Sequence, residues 1–265
     1  TQRLRKVSGM LADEFNLNRE KVEIAASISK SDLCSDLVNE YPDLQGLMGK
    51  YFALTQGFEE DVSNAVSDHY LPLGNNSVTS KKPISYVVAI SDKIDTLVGF
   101  FLINEKPTSS KDPFALRRSA IGLLKTIIDN KLNLKLRNLI SYNIKLFVEQ
   151  GVKMINKNSE NEILNFLKER MKNILRDKNI KSDIIEASVS SYFSDNYFDL
   201  YKKNTSMNKY INKEAGINAI SSYKRAFKIV ESAKENLSGR PDSVLFRKDE
   251  EKHLFEKLNE IRKSL

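Results

Sequence analysis

Apolar residues recur at three- and four-residue spacing over stretches of 12 or more residues, and only 10 Gly and 6 Pro interrupt the 265-residue chain. That spacing gathers apolar side chains on one face of a helix, and so few breakers favour long helices over many short strands. The expected fold is all-α. In the first part of the chain the pattern predicts helices over 3–14, 20–37, 44–55 and 58–70, the last stopped by Leu71, Pro72, Leu73 and Gly74. The polar stretch 74–83 has no pattern of its own and is expected to be a mobile loop. Residues 84–103 carry Val87, Val88, Ile90, Ile94, Leu97, Val98, Phe100 and Phe101, apolar nearly all round, which predicts a helix central to the core.

After a polar break at 106–111, Asp112 as N-cap and Pro113 at the first helical position predict a helix over 113–129. Leu116, Ala120, Leu123, Leu124 and Ile127 fall on one of its faces, with Arg118, Lys125 and Asp129 opposite. A further helix over 136–150 ends at Gly151, and the polar, aperiodic stretch 153–159 is the expected domain boundary. Two parts follow: 1–152 and 153–265. The second is predicted to hold helices over 160–177, 182–193 with Ser182 as N-cap, 211–237 and 249–265, with a Tyr/Phe-rich segment reaching Tyr201 and a break at Gly239, Arg240 and Pro241. No fixed-period repeat is present.

Composition sharpens this picture in two ways. A hydrophobic content of 40% suffices for a core in each part, while the single cysteine, Cys34, rules out an internal disulfide. There is no apolar run near 18 residues and no signal-like apolar stretch at the start, so the expectation is a cytoplasmic protein without a membrane anchor. The chain begins without Met inside a helical pattern, which suggests a piece of a longer polypeptide. Charge divides the chain more sharply than hydropathy: residues 1–105 hold 10 basic and 15 acidic side chains, a net −5, against 32 and 20, a net +12, for residues 106–265. A basic half suits a polyphosphate partner, since neutralised phosphates release condensed counterions; surface lysines that only confer solubility are the alternative.

Several chemistries are excluded. There is no Gly-rich phosphate loop and no G-x-S-x-G elbow, and two distant histidines, His69 and His253, are too few for a Cys/His zinc site. No catalytic residue is assigned. The order Ser31-Asp32, His69, Asp92 resembles the HD-type metal phosphohydrolases, in which a His-Asp pair and a later Asp help hold a divalent metal. Here Ser31 stands where that pair would have its histidine. Asp32, His69 and Asp92 are therefore read as degenerate positions that hold no metal, with the two aspartates expected to cap helices or pair with lysines. The stretch 110–118 presents Lys111, Arg117 and Arg118 near a helix N-terminus, either a phosphate site or an internally paired helix start. Arg118 is expected on the open face and Arg117 in a structural ion pair. Tyr192, Phe193, Tyr197, Phe198 and Tyr201 could stack on bases, but their near-helical spacing suits core packing better, and Cys34 is expected to be a small buried apolar residue.

Five ordered words carry a more specific likeness: 30–33 (KSDL), 40–49 (EYPDLQGLMG), 69–72 (HYLP), 91–101 (SDKIDTLVGFF) and the run 106–118 ending in DPFALRR. Together they resemble the β subunit of the two-subunit bacterial glycyl-tRNA synthetases over about residues 25–130. Past residue 150 the likeness rests on FLKER at 166–170 and KRAFKIV at 224–230, similar to the start of that family's helical anticodon-binding region.

The resemblance implies an HD-like helical domain over 1–152, inactive as a hydrolase, followed by a helical tRNA-binding bundle over 153–265 that stops short of a full anticodon-binding domain. It implies a subunit of an ATP-dependent ligase that has no cofactor of its own, ATP and Mg belonging to the partner α subunit, in an α2β2 complex that acts on tRNA(Gly). On this reading the chain positions tRNA while α glycylates it. Lys111, Arg117, Arg118 and Lys125 are the candidate contacts to the acceptor side. Lys202, Lys203, Lys209, Lys224, Arg225 and Lys228, in a run 201–234 of net +6, form the second group. A metal-dependent phosphohydrolase and a helical protein-interaction scaffold are the alternatives.

Overall fold

A computed structural model describes residues 1–74, 77–108, 110–190, 195–232 and 241–264. Among these residues the secondary structure is helical throughout, without a strand. In chain order the α-helices are α1 (Gln2–Glu14), α2 (Arg19–Ile28), α3 (Asp36–Glu40), α4 (Leu47–Thr55), α5 (Glu60–Asp68), α6 (Pro83–Leu102) and α7 (Leu116–Asp129). They continue with α8 (Leu136–Glu149), α9 (Ser159–Asp177), α10 (Ser182–Ser190), α11 (Tyr197–Ile211), α12 (Glu214–Ser232) and α13 (Asp249–Ser264). The all-α expectation holds.

The helix apolar on all sides, α6, is the one the others cover: α1, α2, α5, α7, α8 and α9 all pack on it. Val87, Val88, Ile90, Ile94, Leu97 and Val98 are buried along its length. Phe101 and Leu102 close its C-terminal end against α9, where Phe101 meets Phe166 with ring centroids 5.4 Å apart. Leu116, Leu123, Leu124 and Ile127 form the buried stripe of α7, as the periodicity predicts.

Three local expectations change. The helix predicted over 20–37 ends at Ile28; a 3-10 turn, Ser31–Cys34, and short α3 follow it. That turn exposes Cys34, which is not the buried residue expected. Its neighbour Asp32 takes the inward position instead, drawn there by a backbone hydrogen bond. The helix predicted from Pro113 begins at Leu116, because Ala115 is left-handed at φ 53 and Pro113–Phe114 form a turn. Asp112 still caps it, across the turn, accepting from the backbone N–H groups of Leu116 at 2.9 Å and Arg117 at 3.0 Å. In the stretch expected to be a mobile loop, Thr79 donates to Asp129 at 2.9 Å and Ser80 to Asp68 at 3.0 Å, so these two residues are anchored.

The chain divides into two compact units, Thr1–Lys209 and Tyr210–Leu265. The stretch 153–159, expected as the boundary, falls inside the first. There the Leu102 carbonyl accepts from the N–H groups of both Ile155 and Asn156, and α9 returns to pack on α6, α7 and α8. Polarity marked a surface turn there without marking a division between cores. In the second unit, α12 leaves Ile217, Tyr223, Phe227, Ile229 and Val230 exposed, and α13 leaves Leu254, Leu258 and Ile261 exposed.

Burial predicts a contrast that urea unfolding can measure. Ile94→Ala, at the centre of α6 and 0% exposed, is expected to cost about 2–5 kcal/mol. Ile229→Ala, 69% exposed on α12, is expected to change stability by less than about 0.5 kcal/mol.

Candidate functional site

The three degenerate positions do not converge on a metal. Asp32 is 1% exposed, and its Oδ2 accepts the Gly46 N–H at 2.6 Å, capping the start of α4. Glycine at 49 leaves room for that carboxylate: a Cβ there would lie 3.0 Å from Asp32 Oδ2 and 2.7 Å from Val66 Cγ1. His69, at the end of α5, is fully buried, with Nδ1 2.8 Å from the Val66 carbonyl oxygen. That bond assigns the proton to Nδ1 and leaves Nε2 neutral, without a donor. Burial pushes the His69 pKa down to about 4; Asp92 opposes the shift, while Lys30 and Lys93 add to it.

Two ammonium groups occupy the surroundings. Lys30 pairs with Asp92 at 2.9 Å, as expected of an aspartate without a metal to ligate, and lies 5.0 Å from the Tyr70 ring centroid. Lys93 is 7% exposed and donates to the carbonyl oxygens of His69 at 3.0 Å and Leu71 at 2.9 Å. Burial pushes its pKa down to about 8, which still leaves it mostly charged at neutral pH. Among the described residues no group of three His, Cys, Asp or Glu side chains could hold a metal ion. Asp32 spent on a helix cap and Asp92 spent on Lys30 do not fit a divalent cation, and no hydrolytic step follows from them.

Positive charge collects instead on the neighbouring loop. Arg118 is exposed and lines a cleft of about 210 Å³ with Tyr70, Asp92, Lys93 and Ser119. Arg117 is half-buried, 3.8 Å from Asp112, and donates to the Thr108 carbonyl oxygen, the structural role expected of it. Lys111 is exposed beside it, its backbone N–H held by the Thr108 hydroxyl at 3.2 Å. Phe114 stacks on Phe100 with centroids 4.1 Å apart, which fixes the loop on α6.

The other candidates are more dispersed. Lys125 is half-buried and already has a partner. Lys202, exposed on α11, pairs with Asp199 at 3.3 Å and lies over the Phe198 ring. Lys203 and Lys209 are exposed on the same helix, and Lys203 too has a partner. Lys224, Arg225 and Lys228 are exposed on α12, in the second unit. Tyr197 is buried and donates its hydroxyl to the Leu164 carbonyl oxygen at 2.9 Å, so it is a core residue; Tyr192 and Phe193 lie outside the described residues. Sequence reasoning gave no role to Arg170, which α9 brings beside Arg117; the four-residue spacing from Phe166 to Arg170 was the only available signal.

The neutral His69 links stability to pH. Its folded pKa of about 4 lies below the ordinary 6.5, so the unfolded chain takes up a proton that the folded chain refuses. The stabilisation is fully present above about pH 6.5 and is lost as pH falls toward 4, by roughly 3 kcal/mol at most. In urea unfolding, the stability gap between wild type and His69→Asn, which keeps a donor for Val66, is expected to narrow from pH 7 to about pH 4.5. A constant gap would show that His69 is not the group responsible.

The family model described as "Glycyl-tRNA synthetase beta subunit" matches residues 1–190. The glycine–tRNA ligase β subunit of Ruegeria sp. (strain TM1040) is 36% identical over 233 residues, covering 88% of this chain and 32% of that protein. That of Rickettsia canadensis (strain McKiel) is 38% identical over 245 residues, covering 92% and 35%. That of Colwellia psychrerythraea (strain 34H / ATCC BAA-681) is 41% identical over 187 residues, covering 71% and 27%. The chain thus spans about a third of the length of the curated relatives it matches. The order of motifs, the helical architecture and these identities agree: the chain belongs to the glycyl-tRNA synthetase β-subunit family.

Proposed function

We propose that this chain is a tRNA-binding, non-catalytic part of a glycyl-tRNA synthetase β subunit, which orients tRNA(Gly) for glycylation by the α subunit within an α2β2 complex in the cytoplasm. In this reading ATP and Mg act at α. The chain contributes position: phosphates held on one face fix the direction in which the 3′ end of the tRNA leaves the surface.

The observation that carries this reading is the exposed cationic face around α7. Arg118 extends from the first turn of α7 and Lys111 from the loop before it, and Asp112 and the Phe100–Phe114 stack brace their junction. A rigid mount lowers the entropy lost when phosphates are bound. Asp92 is paired with Lys30 and Asp32 Oδ2 accepts from the Gly46 N–H, while Asp32 Oδ1 is buried without a partner. Lys224, Arg225 and Lys228 supply a second exposed group on α12, suited to another part of the same polyanion. No helix among the described residues is long and apolar enough to cross a membrane.

The test is binding of this chain to tRNA(Gly) and to an unrelated tRNA over a salt series. Affinity is expected to fall steeply with salt, and each contact removed should reduce the log–log slope by about 1. Arg118→Glu, and separately Lys224→Glu with Arg225→Glu, are expected to weaken binding about tenfold or more. No binding to either tRNA at low salt would overturn the reading.

A further inference from the structure

On the face where α9 meets the loop after α6, a cleft of about 350 Å³ has an apolar floor of Phe101, Pro107 and Phe166, with Lys106, Asn165 and Arg170 at its polar edge. The Arg170 guanidinium carbon lies over the Phe166 ring, 4.7 Å from its centroid, and its Nε is buried with no acceptor. Stacking therefore holds this side chain. The two carboxylates that also line the cleft are already neutralised: Glu162 by Lys106 at 2.5 Å and Glu169 by Lys172 at 3.1 Å. Among the described residues no carboxylate lies within ion-pair distance of Arg170. Its neighbour Arg117 is like-charged and, after burial, is the next cause that pushes the Arg170 pKa down. The carboxylates that act on Arg170 are both engaged, Asp112 with Arg117 itself and Glu169 with Lys172.

An apolar aromatic floor beside one unpaired guanidinium, that of Arg170, is unsuited to a paired helix, whose bases are stacked away and whose phosphates need only charge. It suits a base with one free π-face and the phosphates on either side of it. We infer that this cleft binds one unpaired nucleotide of the RNA, its base against Phe166 and Arg170. The inference rests on the tRNA-binding reading and adds to it a distinction between paired and unpaired RNA. Asn165, exposed on the rim, is placed to meet a base edge with its amide.

The experiment uses the full chain and two hairpin RNAs with the same duplex, one blunt and one with a four-nucleotide single-stranded extension carrying 2-aminopurine. Wild type is expected to bind the extended hairpin about tenfold more tightly than the blunt one and to change the 2-aminopurine fluorescence. Arg170→Gln and Phe166→Leu are expected to abolish that preference while blunt-hairpin binding persists, which also reports that the variants are folded. Arg170→Lys, which keeps the charge without the planar face, should lose most of the preference too. Equal wild-type affinity for the two hairpins overturns the inference and leaves the RNA-binding reading standing. So does a proportional loss on both hairpins in Arg170→Gln, which would make Arg170 a simple phosphate contact. Binding to neither hairpin overturns both.

Discussion

A helix that is apolar on every side must be covered on every side, and any charge along it must find its partner inside the protein. That constraint on α6 organises the first unit. Six helices cover it, and its only three charged residues, Asp92, Lys93 and Asp95, are each satisfied within the fold. Asp95 takes a two-pronged bond from Arg3 of α1 at 2.9 and 3.0 Å, Asp92 takes Lys30 from beyond α2, and Lys93 reaches the carbonyls at the end of α5. Of the three only Lys93 is buried, so removing its carbonyl acceptors would strand a charge in a low-dielectric interior, whereas Asp92 and Asp95 are partly exposed and their pairs are worth less.

The same packing commits the polar groups of the Asp32, His69 and Asp92 cluster. A divalent cation needs carboxylates and imidazole free to ligate, whereas here Asp92 is committed to Lys30 and Asp32 to the α4 backbone. An ammonium in place of a metal stabilises the helix junction without activating water. Lys93 and the exposed Arg118 line one cleft beside Asp92.

Much of the architecture was legible in the sequence because it follows from periodicity: the all-α class, the central position of α6, and the buried stripe of α7. The degenerate positions were also legible, since a serine before Asp32 removes a ligand whatever the fold. Backbone geometry was less so. Nothing in the residue pattern announces that Ala115 turns left-handed and delays α7, or that residues 29–35 tighten into a turn that exposes Cys34. The unit boundary was missed for a related reason: polar composition marks a surface segment, but only long-range packing shows that α9 belongs to the core before it. Arg170 escaped notice because its significance is a tertiary meeting with Arg117 and Phe166, 53 and 4 residues away in sequence.

On the proposed reading, RNA meets basic side chains within residues 106–265 and not the acidic first part of the chain. Ultraviolet crosslinking of the chain to tRNA(Gly), read by mass spectrometry of the crosslinked peptides, tests it most directly. Crosslinks are expected within 106–118, on α9 and on α12, and they should disappear at high salt. Crosslinks confined to residues 1–68, or a pattern that salt does not change, would contradict the claim.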